Sequence, residues 1–228
     1  MVRVATGMNA QALSNTLWSI LTLAVTRGVP LPACYADLWQ AACGLDAGSL
    51  KDVGLRIFFH AHLMHTELVS RDVRGEVTFP PWIMHEAREA WTRQARDDGT
   101  ISRAHKDVAS IIGELGVPHK VEHLTNDGCF SVDVYMPGAD VALEFDGPSH
   151  FIKISIIGKG GAPGDATRTW TQTVRTELRD MFLARRRISV VSVPNFEYDK
   201  LKGRTAKNTY IAQKLRSAGV RVPPPGSV

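Results

Sequence analysis

The sequence predicts an α+β protein, with a helical first half and a mixed α/β second half. Three observations carry this. Over residues 1–98 the apolar side chains recur at helical spacing. Between 129 and 147 two stretches alternate apolar and polar residues as half-buried strands do. A helix pattern precedes those stretches, and a helix and a further strand pattern follow them, an α, β, β, α, β order suited to a small layered domain.

Leu13, Leu17, Ile20, Leu21 and Ala24 share one helical face, which GVPLP (28–32) ends. Tyr35, Leu38, Trp39 and Ala42 repeat the pattern, with Pro32 near the start and Gly44 past the end. Leu55, Phe58, Phe59 and His62 predict a third helix. A fourth follows Pro80-Pro81, with Trp82, Ile83, Ala87 and Trp91 turned inward. Residues 1–98 therefore read as solenoid-like helical hairpins. His60, His62 and His65 do not converge on a metal, because His60 and His62 lie about 200° apart around a helix; His62 belongs to the apolar stripe.

ARDDGTIS (95–102) is a linker, and a second domain is expected over 99–223, with 224–228 as a tail. Val108, Ile111, Ile112 and Leu115 form a helix closed by Gly116 and Pro118. In CFSVDVYM (129–136), Phe130, Val132 and Val134 share a face. In DVALEFDG (140–147), Val141, Leu143 and Phe145 point one way and Ala142, Glu144 and Asp146 the other. GKGGAPGD (158–165) lacks the order of a phosphate-binding loop and reads as a flexible insertion. A helix from about Thr169 to Arg186, the strand ISVVSV (188–193) and a helix around Tyr210 to Leu215 complete the pattern.

Composition narrows the class. The 228 residues carry a net charge of +4, and no run approaches the roughly 20 apolar residues of a membrane span. Cys34, Cys43 and Cys129 are odd in number and form no C-x-x-C pair, which argues for reduced thiols rather than disulfides or zinc ligands. From Arg168 to Arg216 there are twelve Lys or Arg against four acids, so the C-terminal third is strongly basic and suited to a polyanion. No clear transit-peptide pattern opens the sequence, which is expected of a cytosolic protein or of part of a longer one.

The stretches VALEFDGPSHF (141–151) and LARRRISVVSVPNFEYDKL (183–201) resemble the RAP domain. That module occurs in FASTK-like mitochondrial proteins and in algal, plant and apicomplexan organellar proteins. The likeness covers about 141–202 closely and 103–140 more loosely. It implies a fold resembling the PD-(D/E)XK restriction-endonuclease-like fold, with helical repeats ahead of it. The implied role is RNA metabolism in an organelle: stabilisation, processing, splicing or translation of transcripts, or ribosomal RNA binding in a mitochondrial ribosome. Localisation is expected in the mitochondrion, with the chloroplast as alternative. Expected partners are single-stranded or ribosomal RNA, and ribonucleoprotein subunits through the helical region, with no membrane.

Two site readings remain open. Asp133, Glu144 and Asp146 share a strand face and are the inventory for Mg²⁺ or Mn²⁺ in a metal-dependent RNA endonuclease. The nuclease pattern, however, has Lys two residues after its Glu, where this chain has Asp146. His150 or Lys153 would have to substitute, and Glu114 would complete the cluster. The other reading makes the acids organisers, paired with Arg175 or Arg179, in a domain that binds RNA with no cofactor. On the helix expected over 169–186, Arg168, Arg175, Arg179 and Arg186 fall along one edge suited to phosphates. Arg185, Arg187, Lys200, Lys202, Arg204 and Lys207 extend that surface, and Tyr198 and Phe196 are candidates for stacking unpaired bases.

Overall fold

A computed structural model describes residues 7–97, 102–156 and 167–224, so the 158–165 loop lies outside the described residues. The chain divides into two compact units, Met1–Asp98 with Asn126–Cys129, and Gly99–Thr125 with Phe130–Val228.

The first unit is helical. Helix α1 (Ala10–Arg27) starts where the Asn9 side chain accepts the Ala12 amide at 2.8 Å, and ends at Gly28, whose φ of 66° suits a residue without a Cβ. After it come α2 (Tyr35–Cys43), α3 (Asp52–Leu63), which runs on into a π turn at Met64–Leu68, and the short α4 (Arg71–Arg74). A second π turn, Ile83–Ala87, leads into α5 (Arg88–Asp97). Helix α3 is central, packed against both α1 and α5. Its core is aromatic: the fully buried Trp39 meets Phe58, Phe79 and His65 edge-on. The histidines are absorbed one at a time. Trp18 Nε1 donates to His60 Nδ1 at 3.0 Å, and His65 Nδ1 bonds the Tyr35 hydroxyl. Burial pulls His62 and His65 down to about 4, so both are neutral packing groups.

The second unit runs α6 (Arg103–Glu114), β1 (Lys120–Leu124), β2 (Ser131–Met136), β3 (Val141–Asp146), β4 (Phe151–Ile156), β5 (Thr167–Gln172), α7 (Val174–Arg185), β6 (Ser189–Pro194), α8 (Asn195–Tyr198) and α9 (Gly203–Ser217). One sheet has the order β1-β2-β3-β6. Its first three strands are antiparallel, and β6 runs parallel to β3. The second sheet is the β4–β5 hairpin. Val108, Ile111 and Ile112 of α6 and Ile211 and Leu215 of α9 form one core with Val134, Leu143, Val191 and Val193 of the sheet. As the alternation predicts, Leu143 joins that core, while Glu144 and Asp146 are bonded from α7.

Three strands differ from the sequence reading, and β4 is one that it did not expect. The segment β1 is an additional strand at the sheet edge. Thr169–Gln172 is strand, not helix: its Thr-Trp-Thr residues are β-branched or aromatic, and α7 begins only after Thr173, whose hydroxyl caps the Thr176 amide at 3.4 Å. Arg168 therefore lies on β5 and leaves the helical arginine edge.

Candidate functional site

Strand β3 lies between β2 and β6, so the acids near its end are covered on both sides. Glu144 is 5% exposed and Asp146 0%. An uncompensated buried carboxylate is costly, and α7 answers it with Arg179. One guanidinium nitrogen, Nη1, donates to Glu144 Oε2 at 2.9 Å and to Asp146 Oδ1 at 3.1 Å, while Nε donates to Asp180 Oδ1 at 2.9 Å. Glu144 Oε1 accepts from the Asp133 amide at 3.3 Å, Asp133 Oδ2 accepts from the Phe145 amide at 2.7 Å, and the Ser192 hydroxyl donates to Asp146 Oδ2. His150 Nδ1 stands 3.1 Å from Asp146 Oδ1 and 3.2 Å from Thr176 Oγ1.

The structure thus brings Asp133, Glu144, Asp146 and His150 together, and gives their carboxylates an internal cation. A divalent ion among Asp133, Glu144 and Asp146 does not fit this arrangement: Arg179 already spans Glu144 and Asp146, and Glu144 Oε1, Asp146 Oδ2 and Asp133 Oδ2 accept hydrogen bonds, while Asp133 Oδ1 turns toward His105. Lys153 lies on β4 with its ammonium over Trp170, and Glu114 is bonded to Arg204.

Burial pushes the Glu144 carboxyl up to about 8, with Asp133 and Asp146 adding to the effect of burial and Arg179 opposing it. For Arg179 the balance reverses: burial pulls down, but Glu144, Asp146 and Asp180 outweigh it and keep the guanidinium charged. Burial lowers His150 despite Asp146 beside it.

A pH dependence follows. Between the ordinary glutamate value and about 8, the folded chain holds a proton on Glu144 that the unfolded chain has released. Stability from this group is full in acid and is lost as pH rises through 8. Denaturation midpoints between pH 5 and 9 should fall with pH in the natural chain and fall less steeply in Glu144→Gln.

The expected RNA ligands separate into three groups. Arg175, Arg185, Arg187, Lys200 and Lys202 are exposed. Arg186 is half-buried, with Nη1 donating to Phe182 O at 3.0 Å and its guanidinium over the Phe130 ring, and Arg179 is enclosed as described. Arg204, Lys207 and Tyr198 tie α9 and α8 to α6. Arg204 bonds Asp107 and Glu114, Lys207 Nζ reaches Asp107 Oδ2 at 2.7 Å, and the Tyr198 hydroxyl donates to the same oxygen at 2.8 Å. At 2% exposure, Tyr198 sits edge-on against Phe145 and cannot receive a base. Tyr198→Phe should cost about 1 kcal/mol of stability in a denaturant titration and leave RNA affinity unchanged. The Arg168 side chain lies outside the described residues.

The aromatic surface lies instead on the β4–β5 hairpin, which the sequence reading missed. Trp170 is 42% exposed and stacks on Phe196 at 5.0 Å with planes 11° apart. Phe151 meets Phe196 edge-on at 5.1 Å. The register pairs Lys153 with Trp170, and Lys153 Nζ lies 5.3 Å from the ring centre. Beside these elements the turn Gly147–His150 walls a cleft of about 450 Å³, lined also by His105, Asp133, Phe145 and Asn195.

Residues 143–214 match the family model of the RAP domain. Among curated proteins none matches the chain.

Proposed function

Taking as premise that this is a RAP-domain protein, with the domain over residues 143–214, we propose that it holds single-stranded RNA without cutting it. A RAP domain is associated with RNA binding, which supports a role connected with RNA. The observation that carries it is the contrast between a closed acidic cluster and an open aromatic–cationic surface. Arg179 joins Glu144 and Asp146, whereas Trp170 with Lys153, and the exposed Arg175, Arg185, Arg187, Lys200 and Lys202, face solvent. A half-exposed indole already backed by Phe196 offers a base a rigid platform, and cations track the phosphates between bases.

The endonuclease reading would need Mg²⁺ or Mn²⁺ to displace Arg179 from Glu144 and Asp146. Arg179 Nη1 holds both carboxyl groups, at 2.9 and 3.1 Å. The place proposed is an organelle, the mitochondrion first and the chloroplast as alternative, which fractionation of cells expressing a tagged chain tests. Ribonucleoprotein subunits are proposed as partners of the helical unit. Among the described residues, no helix is long and apolar enough to cross a membrane.

The test is RNA affinity measured over a range of salt. Replacing Arg185, Arg187, Lys200 and Lys202 together with Gln should weaken binding across sequences. It should also flatten the log–log salt dependence, by up to about 0.7 of slope for each phosphate no longer neutralised. A salt slope unchanged by the four substitutions would place the RNA on another surface.

A further inference from the structure

Away from Arg179, the second unit holds another convergence of ligand atoms. His105 of α6, Glu122 of β1 and Asp133 of β2 each offer one atom, and the three atoms lie within 4.8 Å of one another. We infer that His105, Glu122 and Asp133 form a binding site for one divalent transition-metal ion, tying the first turn of α6 to the β1–β2 edge of the sheet.

Glu122 reaches the site through its backbone. Between the Val121↔Val134 and His123↔Val132 pairs it lies opposite Asp133, and there it takes a left-handed φ of 51°. Two carboxylates abreast on neighbouring strands repel one another and alone would indicate nothing more than an acidic edge. The independent observation is the imidazole. The His105 side chain is 6% exposed, and its Nε2 lies 2.9 Å from the carbonyl oxygen of Asp133. A carbonyl oxygen only accepts, so Nε2 carries the hydrogen of that bond, and Nδ1 is the ring atom left to face the carboxylates. What Nδ1 faces is two carboxylate oxygens, Glu122 Oε1 at 3.1 Å and Asp133 Oδ1 at 3.8 Å. Three ligand atoms thus converge on one point, one of them on a buried imidazole, and a metal ion bound there would take the place of any proton on Nδ1.

One imidazole nitrogen with two carboxylate oxygens suits Zn²⁺, Mn²⁺ or Fe²⁺ better than Ca²⁺ or Mg²⁺. Ligand bonds of about 2.0–2.2 Å need little side-chain movement to close on such an ion. The backbone carbonyl on Nε2–H is the outer partner that commonly orients a metal-bound histidine. Glu122 and Asp133 are 31% and 28% exposed, so water can complete the coordination from the open side. The site shares Asp133 with the Arg179 cluster but uses its other oxygen: Oδ2 is taken by the Phe145 amide, and Oδ1 faces His105. The site depends on neither RNA nor cleavage, so it stands or falls apart from the proposed function.

Co²⁺ serves as the probe, added to the metal-stripped full chain and followed in the visible spectrum, with Zn²⁺ added afterwards as competitor. The expected result is one equivalent of Co²⁺ with the weak d–d bands of nitrogen and oxygen ligation, no thiolate charge-transfer band, and displacement by Zn²⁺. Glu122→Gln, at a partly exposed edge position that spares the core, should weaken binding more than about a hundred-fold, since even outer-sphere partners of a metal are worth 10–100-fold. His105→Ala should do the same, and Glu144→Gln should keep the bands. The inference is overturned if Co²⁺ at millimolar concentration gives no bands. It is equally overturned if the bands survive Glu122→Gln, or carry sulfur charge transfer that places the metal on Cys34 or Cys43.

Discussion

Arg179→Ala is expected to destabilise the second unit by about 3–5 kcal/mol, the usual result of removing one partner of a buried ion pair. At roughly 2–4 °C per kcal/mol for a chain of this size, the thermal midpoint should fall by roughly 6–20 °C. The size follows from what stays behind. Glu144 and Asp146 would keep their places beneath α7 with their shared donor gone, and Asp180 would lose the Nε hydrogen bond. Arg179→Lys should recover only part, because an ammonium cannot present the planar fork that serves three carboxylates at once. Glu144→Gln added to Arg179→Ala should cost less than the sum of the two single losses, because both substitutions remove the same Arg179–Glu144 bond, a non-additivity that a double-mutant cycle reads directly. A midpoint unchanged by Arg179→Ala would mean that the cluster is not what ties α7 to the end of β3.

Trp170→Ala is expected to leave the fold intact and weaken single-stranded RNA binding by about 1–3 kcal/mol, roughly five- to 150-fold. The side chain is 42% exposed, on a two-stranded hairpin separate from the main sheet, so its loss opens no core cavity. Phe196 beneath it would become the outermost ring, which keeps the loss at the scale of one stacked base. Trp170→Phe should retain most of the affinity. Lys153→Gln should act mainly through the salt dependence, as the removal of one cation does. Full affinity in Trp170→Ala, with melting unchanged, would remove the hairpin from the RNA surface.

Much of the fold was legible because single periodicities carried it. Leu13, Leu17 and Leu21, or Val108, Ile111 and Ile112, lie on faces that the structure buries, and the alternation in VALEFD correctly separated Leu143 from Glu144 and Asp146. Three things resisted. In TRTWTQTVRTEL the spacing of arginines continues across Thr173, so a helical period absorbed a strand whose residues individually favour β structure. Strand β1 is an edge strand with mostly exposed and half-buried positions, and Glu122 leaves the extended region in its middle, so no clean alternation marks it. The partners of the basic residues were not legible at all. Arg204 and Lys207 meet Asp107 about a hundred positions earlier in the chain, and Arg179 meets Glu144 and Asp146 across more than thirty. Composition counts such cations as available to a polyanion, whereas folding commits them to acids that only the sheet register and helix packing bring near.

The acidic cluster shows the same point from the other side. Asp133, Glu144, Asp146 and His150 converge as the strand period predicts, but residue types do not reveal that the resident cation is a guanidinium. That distinction is what separates holding RNA from cutting it.

The most direct measurement incubates one end-labelled single-stranded RNA with the full chain in Mg²⁺ and, separately, in Mn²⁺, and reads retention and cleavage from the same samples. A protein that holds RNA should show retention that weakens as salt rises and falls in Trp170→Ala, with the RNA full-length in both metals. Metal-dependent shortening of the RNA that disappears in Glu144→Gln would contradict this, and would mean that the bond from Arg179 to Glu144 and Asp146 opens to admit a catalytic ion.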